Sequence, residues 1–370
     1  MNSVDKQYTD LLKDILENGI QKETRSGLVR SVFSRTMRFN LKDGLPLLTT
    51  KKVFYRGVIE ELLWFISGST NIKPLFEKNV HIWDDDAYRY YKELIKKHND
   101  IIRSKYNKEL SCYDFEETFD MKLTVNKKLF LEKVKNGDTL SLLYSKDGYC
   151  RTYTYGDLGA MYGKNWRNFG YQGKDQIKEI IDLLKNDPNN RRILLTCYDP
   201  NSVDEAALYP CHIMYQFYCK EIPYEYRLSE YVEKTDAINN LIDNGVIPTE
   251  KDFDDAGIPK YSLSCSFICR SQDVPLGTPF NIASAAFLTY MLAEVCNMLP
   301  DELIWIGQDC HIYENQIEGV KEQLKRNGSY TLPSLSFKRN IKNIDDFTYD
   351  DFVIKNYNPD QPIKFPLSVG

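Results

Sequence analysis

Apolar residues near the start of the chain recur at helical spacing. Tyr8, Leu11, Leu12, Ile15 and Leu16 share one face of a helix expected over 4–18, with Ser3 placed to cap it and Gly19 to stop it. Further along, the period shortens to two. The strands expected over 211–219 ("CHIMYQFYC") and 261–269 ("YSLSCSFIC") alternate apolar and polar positions, as half-buried strands do. Strands are also expected over 29–40, 191–198 and 302–308, and helices over 51–67, 172–186 and 310–325. The longest apolar run, "PFNIASAAFLTYMLAEVCNML" (279–299), is broken by Asn281, Ser284, Thr289, Glu294 and Asn297. This predicts a buried core helix over 280–298 rather than a membrane span. Strands that follow one another without intervening helices point to an α+β fold, not a doubly wound one.

Two segments break these patterns. Residues 92–151 are strongly charged and mix helical with strand-like pieces. Residues 220–259 carry a helical pattern around "LSEYVEKTDAINNLIDNG" and a polar stretch, between two strands that a hairpin turn would otherwise join. Loop tips of that kind accept insertions. Both read as elaborations of one catalytic domain over 1–370, two independent domains being the alternative.

Composition narrows the chemistry. At 42% hydrophobic and 13% aromatic, the 370 residues suffice for a sizeable core. A net charge of −5 argues against a broad nucleic-acid footprint, though not against a local arginine cluster that holds one phosphate. Nine cysteines without a CxxC pair and only four histidines make a metal site unexpected. The odd thiol count, with no apolar run behind a basic N-terminus, suggests reduced thiols and a cytoplasmic location.

Several residues are candidates for chemistry. Cys211, between Pro210 and His212, is either a nucleophile or one more packed thiol, since buried cysteine behaves as a small hydrophobe. Arg191 and Arg192 open an apolar strand, and Arg25 and Arg270 each precede a serine, Ser26 or Ser271. Guanidinium forks with hydroxyls suit a phosphate monoester, but arginines at strand ends are also ordinary solvated edges. Glu61 sits in the apolar "VIEELLWFISG", where burial would raise its pKa and make it a proton donor. Asn281 either caps the long helix or reads the edge of a base with an amide that both donates and accepts. His311 and Tyr313, two residues apart, can face one pocket from a strand or loop.

Taken in order, "LPLLTTKKVFYRGVIEELLWFISGSTN" (45–71), "VHIWD" (80–84), "YGDLGAMYGKNWRNFG" (155–170), "KNDPNNRRILL" (185–195), "ALYPCH" (207–212), "LSCSFICRSQDVPLGTPFNIASAAFLTYMLA" (263–293), "DCHIYENQIE" (309–318) and "YNPDQPIKFPLSV" (357–369) closely resemble the thymidylate synthase family. The resemblance spans the chain apart from the two inserted segments. It implies a mixed β-sheet packed with helices, a two-fold dimer through the sheet, and transfer of a one-carbon unit from the co-substrate 5,10-methylenetetrahydrofolate to C5 of dUMP. Cys211 matches the nucleophile that adds to C6 of the uracil ring, and Glu61 the general acid–base. Tyr162 and His212 match residues lining the same pocket. Arg25, Arg270 and Ser271 match the phosphate ligands, while Arg191 and Arg192 match arginines that reach the other subunit's site. Asn281 matches the residue bonding O4 and N3 of uracil, and His311 and Tyr313 the contacts to the sugar hydroxyl. On the folate side the matches are Trp83 and Asp273, with the C-terminal tail closing the site. Neither a metal, nucleic acid nor a membrane is implied.

Departures from the family pattern gather on the folate side. Asn165 replaces a glutamine, "CYDP" (197–200) replaces Ala-Trp-Asn-Pro, Tyr209 replaces a proline and Gln308 a glycine. Asp86 stands where longer members often have a second tryptophan, and Gly370 follows the usual terminal valine. Hydride transfer gives thymidylate, whereas water in its place gives the 5-hydroxymethyl product, so dryness of the pocket decides between them. Thymidylate synthesis is the expected activity and dUMP hydroxymethylation the alternative.

Overall fold

The computed structural model describes residues 1–106, 125–143, 149–235 and 247–367. In chain order the first elements are α1 (Ser3–Asn18), β1 (Ile20–Thr24), β2 (Gly27–Asn40), α2 (Tyr55–Ile66), α3 (Lys73–Glu77), α4 (Asp84–Tyr106) and α5 (Lys127–Asn136). A hairpin of β3 (Thr139–Leu143) and β4 (Cys150–Thr154) follows, then α6 (Tyr162–Arg167), α7 (Gln176–Asn186), β5 (Leu194–Thr196) and β6 (His212–Glu221). The remainder comprises α8 (Tyr224–Thr235), α9 (Glu250–Asp255), β7 (Tyr261–Asp273), α10 (Gly277–Cys296), β8 (Leu299–Tyr313), α11 (Ile317–Gln323), β9 (Ser334–Phe337) and β10 (Phe352–Lys355).

These elements form two compact units. The first contains Met1–Leu63, Asp175–Thr196 and Cys211–Gly370, and the second Trp64–Lys174 and Cys197–Pro210. The fold class is α+β, as the strand order along the sequence predicts. In the first unit a six-stranded sheet runs β1-β2-β8-β7-β6-β5, with β7 and β8 parallel and the other neighbours antiparallel. One side of its central strands supplies the core through Leu263, Cys265, Phe267, Cys269, Leu303 and Trp305. Tyr215 stacks on Phe267 with ring centroids 5.4 Å apart. Gly307 leaves room for the Trp305 indole, because a Cβ there would stand 2.3 Å from the ring.

Helix α10 packs against β7 and β8. It is apolar all round, so it needs cover on every side. By length and composition it is able to cross a membrane, yet 72% of its apolar window is buried inside the fold. It ends at Asn297, whose φ of 52° places it in the left-handed region that terminates helices.

Three local expectations need correction. The cap of α1 is Asn2, whose Oδ1 accepts from the Asp5 N–H at 2.8 Å, so Ser3 already lies inside the helix. Arg191 and Arg192 occupy the turn before β5 and do not begin the strand. Residues 310–313, expected to be helical, complete β8, because Cys310–Tyr313 pair with β2 through Ser31↔His311 and Val29↔Tyr313. The helix expected over 310–325 is thus confined to a 3-10 turn, Glu314–Gln316, and the short α-helix Ile317–Gln323.

Strands β6 and β7 pair from the end of one to the start of the other, Glu221↔Tyr261, and the segment between them joins the two. Within it Arg227 is fully buried and bonds Glu250, Asp254 and the Ile258 carbonyl, which ties α8 to α9. The second half of its predicted helix lies outside the described residues. In the second unit, the segment 92–151 contributes the end of α4, α5 and β3, whose aromatic core includes Tyr91, Phe130, Tyr153 and Tyr155.

Candidate active site

Strand direction gathers several candidate residues of the first unit at one end of its sheet. Because β7 and β8 are parallel, their last residues leave the sheet together, with Ser271 opposite Asp309 and Asp273 opposite His311. Antiparallel β2 and β6 begin at that same end, Val29 facing Tyr313 and His212 facing Cys269. The tight β1–β2 turn then carries Arg25 and Ser26 beside them, its Gly27 taking a φ of 114° that suits a residue without a Cβ. The Arg270 N–H donates to the Cys211 carbonyl at 2.9 Å, and a break in the ladder after His212 frees the start of β6 from regular pairing.

Tyr313 registers this convergence. Burial raises the pKa of its phenol, as do the charges of Asp273 and Cys211, while a hydrogen bond with Ser26 and the nearby Arg25 act in the opposite direction. Its ring meets His311 edge-on at 5.2 Å. His311 is held by Asp309, whose Oδ1 lies 3.2 Å from Nδ1. Asp309 is held in turn by Ser31 at 2.7 Å and by Lys22, and hydrogen bonding led by His311 keeps its carboxyl well below the usual range.

Thiol environments separate Cys211 from most other cysteines. Burial pushes Cys265 and Cys310 up to about 12 and Cys219 up to about 11. In the second unit, Cys197 is likewise raised to about 12. Such thiols stay protonated and unreactive at neutral pH. Cys211 is only half-buried, at the sheet end that carries the arginines.

His212 is enclosed. Burial pulls its pKa down to about 4, despite a hydrogen bond with Asn281 that favours the charged form, so the ring is neutral at pH 7. The Tyr215 hydroxyl lies 2.8 Å from Nδ1. Asn281 belongs to the second turn of α10 and does not cap it; its Nδ2 donates to Gln272 Oε1 at 3.2 Å.

On the expected folate side, burial raises the pKa of Asp273. Its Oδ1 accepts from the Leu276 N–H at 3.0 Å and its Oδ2 from Gln316 Nε2 at 2.9 Å. Gln316 also donates to the Pro366 carbonyl at 3.2 Å, which brings the C-terminal tail beside Asp273. Lys51 completes this corner: its ammonium donates to the Pro275 carbonyl, stands 4.5 Å from the Phe365 ring centroid and is lowered by burial to about 7. Gly370 and the preceding Val369 lie outside the described residues.

Other expected residues stand elsewhere. Arg191 and Arg192 are exposed, ahead of the edge strand β5. Glu61 is half-buried on α2, next to the more deeply buried Glu60. Tyr162 and Trp83 belong to the second unit, Tyr162 packing on Phe65 at 4.8 Å and Trp83 on Trp64 at 6.1 Å. Local bonds absorb several departures there. Asn165 Nδ2 donates to the Cys197 carbonyl at 2.8 Å, and Asp199 accepts from the Asn201 N–H and the Ser202 hydroxyl, each at 3.0 Å. Tyr209 donates to Asp204, and Asp86 pairs with Arg89. Gln308 is half-buried on β8.

Sequence reading missed Gln272, Thr278, Lys51, Asp309 and Gln316. A signal existed only for Asp309 and Gln316, which flank the His311–Tyr313 pair. Among the described residues no group of three or more His, Cys, Asp or Glu side chains is arranged to hold a metal ion.

The thymidylate synthase family model matches residues 6–369. The chain is 36% identical over 378 residues to a thymidylate synthase of Francisella tularensis subsp. holarctica, covering 98% of this chain and 100% of that protein. It is 35% identical to the bifunctional dihydrofolate reductase-thymidylate synthase of Paramecium tetraurelia, spanning 99% of this chain and 61% of the relative. For the bifunctional protein of Zea mays the identity is 34%, over 98% of this chain and 54% of the relative. The chain thus spans little more than half the length of these two bifunctional relatives.

Proposed function

The chain belongs to the thymidylate synthase family, and from that premise we propose that it methylates dUMP at C5, giving dTMP and dihydrofolate. The observation that carries this reading is the convergence of Cys211, Arg270, the Arg25–Ser26 turn and Tyr313 at one end of the sheet. Arginines beside a half-buried thiol favour the thiolate and bind a phosphate, so one cluster serves both nucleophile and substrate. Cys211 attacks C6 of the uracil ring; Arg25, Arg270 and Ser271 hold the phosphate; His311 and Tyr313 meet the sugar. Asn281 reads the pyrimidine edge, and Glu61 moves protons at O4.

5,10-Methylenetetrahydrofolate supplies the one-carbon unit and the hydride. Asp273 suits its pterin, because Oδ1 accepts from the Leu276 N–H and Oδ2 from Gln316, and each oxygen has a second lone pair to offer a ligand N–H. Lys51 and the tail flank Asp273. The roles of Trp83 and Tyr162 follow from the resemblance alone. The names of the relatives favour methylation over hydroxymethylation. Purified protein given dUMP and methylenetetrahydrofolate should form dTMP with a matching near-ultraviolet rise from dihydrofolate. Consumption of dUMP without that rise, to a product one oxygen heavier than dTMP, identifies the hydroxymethylase instead.

We further propose a two-fold dimer through the sheet, with Arg191 and Arg192 reaching the partner's phosphate. The sheet side opposite the core bears a half-exposed row, Met214, Ile268 and Ile306, continued by the exposed Thr36 and with the half-exposed Ile304 beside it. An apolar row of this kind suits burial against a second copy of itself. Sedimentation at twice the chain mass is the expected result, and a monomer at every concentration sinks the dimer.

A further inference from the structure

Gln272, the penultimate residue of β7, occupies a position that strand alternation does not favour for burial. Period two groups it with the half-exposed Ile268 and Arg270, yet it is 2% exposed. Thr278, in the first turn of α10, is wholly buried. Buried polar groups of this kind stay only where their hydrogen bonds are made, and here the bonds form an ordered relay. Gln272 Nε2 donates to the Ser271 carbonyl at 2.9 Å. A carbonyl only accepts, so this bond fixes which end of the Gln272 amide faces the helix. Its Oε1 then receives the Thr278 hydroxyl at 2.9 Å and Asn281 Nδ2 at 3.2 Å. Since Oε1 also only accepts, the Asn281 amide has its NH2 turned toward Gln272 and its carbonyl toward His212, with which it is hydrogen-bonded.

An asparagine without such neighbours can flip and offer either pattern to a base. Uracil needs a donor at O4 and an acceptor at N3–H, and cytosine needs the reverse. We propose that Gln272, steadied by Thr278 and the Ser271 carbonyl, is a positioning residue that locks the Asn281 amide in the orientation that selects uracil over cytosine. This deepens the proposed function and rests on its assignment of Asn281 to the pyrimidine edge.

The test compares dUMP and dCMP on the full chain, by titrated binding and by kcat/KM. Gln272→Met keeps the side-chain volume and removes the acceptor. The dUMP:dCMP preference should then fall about tenfold or more, the usual consequence of a mismatched buried hydrogen bond. Gln272→Glu, which keeps an acceptor, should restore part of it. Thr278→Val, a smaller perturbation that leaves Gln272 in place, should lower the preference in the same direction even if Gln272→Met does not fold. In an Asn281→Ala background, Gln272→Met should leave the ratio unchanged. An equal loss for both nucleotides in Gln272→Met and Thr278→Val, or a ratio that still shifts without Asn281, overturns the inference. Failure of the underlying function is separate, because it shows in the parent protein as no turnover of dUMP, while the binding ratio still reads Gln272.

Discussion

Cys211→Ala is expected to abolish turnover of dUMP while leaving a folded protein that still binds the nucleotide. The substitution removes one sulfur from a half-buried position, so its effect on stability should stay within about 1 kcal/mol. Its effect on rate should be at least about ten-thousandfold, because a nucleophile acts as part of a unit whose other members achieve little without it. The other thiols offer no substitute: Cys265 and Cys310, raised to about 12, hold almost no thiolate at neutral pH. Binding should survive, since the proposed phosphate ligands Arg25, Arg270 and Ser271 are untouched. Turnover near the parent rate in Cys211→Ala ends the assignment.

Asn281→Asp should reverse the choice of base. A protonated carboxyl offers one accepting oxygen for the cytosine amine and one O–H for N3, the pattern that the asparagine cannot present. A site built around specific buried hydrogen bonds rejects the mismatched ligand strongly, so the dUMP:dCMP ratio of kcat/KM should change by at least about a hundredfold. A variant that loses both nucleotides alike, or a parent that uses both equally, contradicts the role given to Asn281.

How much of this was legible in the sequence depended on the range of the forces involved. Helices α1 and α7 and strands β6 and β7 follow from local periodicity, and their boundaries fall near the expected ones. The two alternating runs on either side of 220–259 were legible as strands, and they pair with each other as far as Glu221↔Tyr261. The start of the helix expected over 310–325 was misread, because pairing with β2 holds Cys310–Tyr313 extended. Tertiary pairing overrides local spacing in such a case. The family motifs made the candidate residues visible, since each carries a distinctive local sequence. Lys51 and Gln272 carry none. A lysine or glutamine on paper is a surface residue, and only the packed fold shows Lys51 lowered to about 7 or Gln272 bonded to Asn281. Asp199 stands in a stretch that departs from the family pattern, and its carboxylate accepts from the turn it begins.

The central claim is that the Cys211 sulfur bonds C6 of the pyrimidine. The most direct measurement is peptide mass spectrometry after incubating the protein with 5-fluoro-dUMP and methylenetetrahydrofolate. Fluorine at C5 cannot leave as a proton does, so the covalent complex should persist through digestion. The expected result is a single modified peptide containing Cys211, heavier by the nucleotide and the folate together. An adduct on Cys150, Cys197 or Cys219, or nucleotide that is bound and released intact with no covalent mass, contradicts it.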